Sequence, residues 1–146
     1  MPDVRRKRKA QMRPEDQLQI AVVNLLRHSG LLFTATANGA FLQGNAAQRA
    51  IRGRRMKAHG VSNGVPDLLI FSAPKAEGDE VDKHMAELRG YEPIGLAIEL
   101  KAGKNKATPD QLQWIEGLRR CGWRAEVCTG IDEVLVLLRD CYPGKF

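Results

Sequence analysis

GVPDLLIF, residues 64 to 71, and GLAIELK, residues 95 to 101, are the two stretches whose reading decides the fold of this chain. In the second, Leu96, Ile98 and Leu100 alternate with Ala97, Glu99 and Lys101, the period-two pattern of a strand with one apolar face. Glu99 and Lys101 therefore project to the same side. In the first, Pro66 holds Val65 extended and can itself sit only at the start of a strand or on an edge, so a strand runs from Asp67 to about Phe71. Asp67, Glu99 and Lys101 thus all fall on strands, at the rim of a sheet. Two carboxylates near a lysine suit a hard divalent cation, which takes oxygen ligands and can activate a water against a phosphodiester.

The flanking sequence supplies the other layers. A helix begins at Pro14, a favoured first-turn residue, with Glu15 and Asp16 complementing the helix dipole, and ends at Gly30. Its apolar stripe is Leu18, Val22, Leu25 and Leu26, and Glu15 falls within about 20° of Val22 viewed down the axis. Glu15 thus heads the buried stripe and Asp16 does not. LLFTATA, residues 31 to 37, reads as a strand followed by the turn signal Asn38-Gly39. Residues 45 to 59 form an alanine- and arginine-rich helix closed by Gly60, in which Arg49, Arg52 and Arg55 share a face. Residues 72 to 93 are polar and weakly patterned, an insertion with room for a short helix around 81 to 88.

Thr108-Pro109-Asp110-Gln111 is a helix start with a capping threonine, a first-turn proline and Gln111 placed for a capping box. Leu112, Ile115 and Leu118 give that helix its core face, and Gly122 ends it. A last strand covers residues 123 to 128 and a last helix about 131 to 140. Alternation of this kind specifies an α/β fold, a mixed sheet flanked by helices.

At 146 residues the chain fits one domain with one hydrophobic core. Residues 1 to 13 offer almost nothing to bury and read as a basic, disordered arm ahead of a single domain at 14 to 146. No apolar run approaches the roughly 20 residues of a membrane helix, and the charged N-terminus lacks the apolar core of a secretory signal, so a cytoplasmic location is expected. Cys121, Cys128 and Cys141 are odd in number and lack C-x-x-C spacing, which points to reduced thiols in a core. A net charge of +6 favours a polyanionic partner, with nucleic acid the commonest.

Together these elements resemble the PD-(D/E)XK phosphodiesterase superfamily, and within it the virus-type replication-repair nuclease family, VRR-NUC. The resemblance spans about residues 15 to 138. It rests on Glu15 with Gln19 one turn on, Asn38-Gly39, Gly64-Val65-Pro66-Asp67, Glu99-Leu100-Lys101, and the Pro109-x-Gln111 start of a tryptophan-containing helix. The basic arm and the long segment between Asp67 and Glu99 depart from the pattern without touching a catalytic position. The resemblance implies a restriction-endonuclease-like core, dependence on Mg2+ or Mn2+, and DNA cleavage leaving a 5′-phosphate. It further implies a homodimer similar to Holliday-junction resolvases, and a phage or mobile-element origin would suit so small a stand-alone nuclease.

Each residue carries a bland alternative. Asp67 could merely open a strand, and Glu99 with Lys101 could be an exposed ion pair, though an apolar strand seldom spends two positions on charges. On the catalytic reading Asp67, Glu99 and the Leu100 carbonyl hold the metal, Glu15 joins them directly or through water, and Lys101 positions the attacking water or stabilises a developing oxyanion. Gln111 is explained by its capping box or by a place beside Lys101 or the substrate. Arg49, Arg52 and Arg55, with Lys104 and Lys106 after the Glu-Leu-Lys strand, are candidate phosphate contacts on DNA, branched DNA above all. Flaps, single strands or duplex ends are alternative substrates, and a non-catalytic DNA-binding module is the alternative of a different class.

Overall fold

In the computed structural model the described residues are 11–36, 44–78, 83, 84, 87, 88 and 90–146. The expected basic arm, up to residue 10, and the Asn38-Gly39 turn lie outside them. Pro14 opens α1 (Pro14–Ser29), and Gly30 closes it in the left-handed conformation at φ 75°, as the sequence predicts. Strand β1 (Phe33–Ala35) is only three residues long, shorter than its apolar run suggests. Helix α2 (Ala46–Ala58) begins at a full capping box, in which Asn45 and Gln48 satisfy each other's backbone amides.

Four strands make one mixed sheet in the order β1, β2 (Leu68–Ile70), β3 (Leu96–Lys101) and β4 (Arg124–Thr129). The first two pairings are antiparallel and the third is parallel. Helix α3 (Pro109–Arg120), again started by a complete capping box from Thr108 and Gln111, carries the chain from β3 to the parallel β4. Helix α4 (Gly130–Cys141) follows and closes the fold. Among the described residues no helix is long and apolar enough to cross a membrane.

Alternation along β3 sorts its side chains between two cores. Leu96, Ile98 and Leu100 pack with Val22 and Leu26 of α1 and with Val134, Leu137 and Leu138 of α4. Ala97 faces the other way, into a smaller cluster with Ile115 and Ala125, against which Leu118 and Trp123 lean. The strand has the one strongly apolar face its alternation predicts, yet all six β3 residues are buried, because helices cover both sides of the sheet. Each fully buried leucine contributes about 1.5–3 kcal/mol, so this double cover fixes the register of β3 firmly. Since β3 is an inner strand, Glu99 and Lys101 stand at its C-terminal end and the sheet edge lies elsewhere.

The cysteines divide. Cys128 and Cys141 are buried core thiols, and burial pushes both up to about 12. Cys121, just past α3, is exposed and departs from the core expectation.

Candidate active site

The turn before β2 and the end of β3 meet because the two strands are antiparallel. Leu68 pairs with Ile98, so one step beyond that pair Asp67 comes opposite Glu99. Pro66, which has no N–H to give a ladder, lies buried ahead of β2 and accepts a 2.6 Å hydrogen bond on its carbonyl from the Thr36 hydroxyl. The Asp67 carbonyl accepts from the Thr36 amide at 2.8 Å. The Pro-Asp turn is thus pinned from β1. On its other side the Leu100 amide donates to Asp67 Oδ2 at 2.8 Å.

Gly64 pins the turn a third time. Its φ is +81°, and a Cβ placed there would come within 2.6–2.8 Å of the Asp110 and Gln111 backbone at the start of α3. Only glycine admits that approach. The sequence marks Gly64 as a turn residue, but nothing local in it signals this contact.

Glu99 is 1% exposed, with Lys101 Nζ 2.8 Å from its Oε1. Neither carboxylate oxygen of Glu99 has an aligned hydrogen-bond donor among the described residues, so the pair is held by charge at a poor angle for hydrogen bonding. Burial pushes the Glu99 carboxyl above the usual range, helped by the Asp67 charge and opposed by the Lys101 ammonium. Buried polar oxygens without donors are costly, and a cation is one partner that satisfies them.

The structure brings Asp67, Glu99, Leu100 and Lys101 together. Glu15, half-buried in the first turn of α1, sends Oε1 to the side-chain amide of Asn105 at 2.9 Å, in the loop that follows β3. No group of three or more His, Cys, Asp or Glu side chains able to hold a metal forms among the described residues, so Glu15 stands beside the loop rather than in such a cluster with Asp67 and Glu99. Asn105, 90 residues along the chain from Glu15, could not be foreseen. Gln111 spends its side-chain oxygen on the Thr108 amide at 2.8 Å, the capping role. Gln19 is half-buried on α1.

Arg49, Arg52 and Arg55 are exposed on α2, a helix in which no residue is buried. Lys104 and Lys106 are exposed in the loop after β3. All five lie off the sheet, on surface a polyanion can reach.

The VRR-NUC domain family matches residues 13–132 of the sequence. Among solved structures, one described as a VRR_NUC domain protein is 26% identical, with a TM-score of 0.58 and 90% of each chain covered. No curated protein matches the sequence.

Proposed function

The chain belongs to the VRR-NUC domain family, nucleases of the PD-(D/E)XK type, and we propose that it is a divalent-metal-dependent DNA endonuclease selective for branched DNA. The observation that carries the reading is the buried Glu99 carboxylate, whose oxygens lack aligned donors, set opposite Asp67 and beside Lys101. A donor set of two carboxylates and backbone carbonyls is all oxygen, which fits Mg2+ or Mn2+ and leaves room for waters and phosphate. Asp67 and Glu99 would hold the ion, with the Leu100 carbonyl as neutral partner and Glu15 acting through the loop it grips at Asn105.

When bound, such an ion supplies a water of lowered pKa and neutralises charge on the phosphoryl oxygens. The chain's own groups do the rest. Leu100 and Thr36 fix the Asp67 turn from two sides, so little reorganisation is needed when the phosphate arrives. Lys101, held by Glu99 at the end of β3, places a compact ammonium where it can orient the attacking water or meet the oxyanion. Arg49, Arg52, Arg55, Lys104 and Lys106 contact phosphates away from the cut and position the strand.

A homodimer acting in the cytoplasm on four-way junctions completes the proposal, since a two-fold pair of sites suits a pseudo-symmetric junction. The test is a cleavage panel of junction, flap, duplex and single-stranded DNA in Mg2+ and in Mn2+, with the mass of the free and DNA-bound protein measured alongside. Symmetric nicks in the junction by a dimer are expected. Preference for flaps, ends or single strands, or a monomer throughout, overturns the branched-DNA reading, and binding without any cleavage overturns the enzyme.

A further inference from the structure

A cleft of about 410 Å³ lies on α3 beside the Pro-Asp turn, lined by Asn63, Asp110, Gln113, Trp114, Leu118 and Cys121. Trp114 belongs to neither hydrophobic core, although it is half-buried on the same helix as the core residue Ile115. Its ring walls the cleft instead. The side chains of Asn63, Asp110 and Gln113 make no hydrogen bond or ion pair among the described residues. An aromatic face with three unspent polar groups around it is the composition of a pocket for a flat, polar, uncharged ring. Asp110 is the charged group there, so the cleft repels phosphate while its acceptors suit the N–H edge of a base.

Position ties the cleft to DNA. Asn63 is four residues before Asp67, a span of at most about 14 Å. The Asp110 backbone lies so near Gly64 that a Cβ there would collide with it. Asn63 also follows by five residues the end of α2, the helix that carries Arg49, Arg52 and Arg55.

We propose that this cleft holds a nucleobase unstacked at a DNA branch point next to the cleavage site, stacked on Trp114 and bonded at its edge by Asn63, Asp110 and Gln113. The inference rests on the nuclease reading for its partner. It gives the enzyme a hold on a nucleotide unstacked at the branch point of a junction, because a base inside a continuous duplex cannot enter.

Binding is measured in EDTA, so that cleavage plays no part, with the full chain and two labelled DNAs of equal phosphate number: a fully paired duplex and a duplex carrying an unpaired tract. Trp114→Ala should weaken binding of the unpaired-tract DNA about tenfold, the scale of one base-aromatic stack, and leave the duplex unchanged within twofold. Trp114→Phe should restore most of the loss. The unpaired-tract DNA should also protect Cys121 from alkylation, a readout that needs no variant, since Cys128 and Cys141 are buried. Equal weakening on both DNAs, no weakening on either, or unprotected Cys121 overturns the proposal. Failure of the nuclease reading shows separately, as absence of cleavage in Mg2+ and Mn2+ with these binding differences intact.

Discussion

The Leu100 amide donates to Asp67 Oδ2 at 2.8 Å, so the carboxylate of one motif is fastened to the backbone of the other. This bond sets the orientation of Asp67 and gives it a structural share beyond its charge. Asp67→Asn can keep an acceptor for Leu100 while losing the charge. It should hold stability within about 1 kcal/mol yet cut DNA at least about a hundredfold more slowly. Asp67→Ala leaves the amide without its partner and should cost about 1–3 kcal/mol more in urea unfolding.

Gly64 and Gly30 have nearly the same φ, +81° and +75°, but only at Gly64 would an added Cβ come within 3 Å of other backbone. An alanine at Gly30 should cost about 1–2 kcal/mol, the strain of a Cβ in the left-handed region. An alanine at Gly64 adds the collision with Asp110 and Gln111 and should cost clearly more. Chemical denaturation of the two variants measures the contact between the Pro-Asp turn and α3 by difference.

Burial raises the Glu99 carboxyl above the ordinary value of about 4.3. A glutamate that ionises late in the folded state penalises the fold once it is charged. The metal-free protein should therefore lose stability as pH rises from the ordinary glutamate range through the raised one. Cation uptake needs the charged form and should strengthen over the same window. Thermal melts with and without Mn2+ across pH 4 to about 8 check both signs, and Glu99→Gln should flatten both curves.

Asp140 behaves oppositely. Lys83 and Arg124 each reach it at 2.8 Å and hold its carboxyl below the usual range, led by the Lys83 hydrogen bond. Its stabilisation is present above the ordinary aspartate range and is lost as pH falls through the lowered value. Asp140→Ala would leave Arg124, 9% exposed, without its carboxylate; since Asp140 itself is one-third exposed, the cost should be about 2–3 kcal/mol at neutral pH. Asp140→Asn should shorten the acid limb of the stability curve.

Elements governed by local chemistry are legible in the sequence. The caps at Thr108 and Gly30 and the alternation of β3 are short-range signals, whereas the Asn45 cap and the strand pairing that sets Asp67 opposite Glu99 emerge only in the fold. What could not be read depends on distant chain. The second cover over β3 comes from α3, the Asn105 partner of Glu15 lies 90 residues away, and the contact at Gly64 needs the start of α3 in place. Cys121 sits outside the core because α3 turns its last residues to solvent, which no spacing of cysteines reveals.

On the proposed function, the buried pair at the end of β3 serves a cation-dependent cut. The direct measurement is DNA cleavage by the parent, Glu99→Ala and Lys101→Ala in EDTA, Mg2+ and Mn2+, with folding of each variant verified by thermal melts. The parent should cut only with a divalent ion, and each folded variant should be slower by about a hundredfold or more. Cleavage by the parent in EDTA, or variants that cut as fast as the parent, would contradict the assignment.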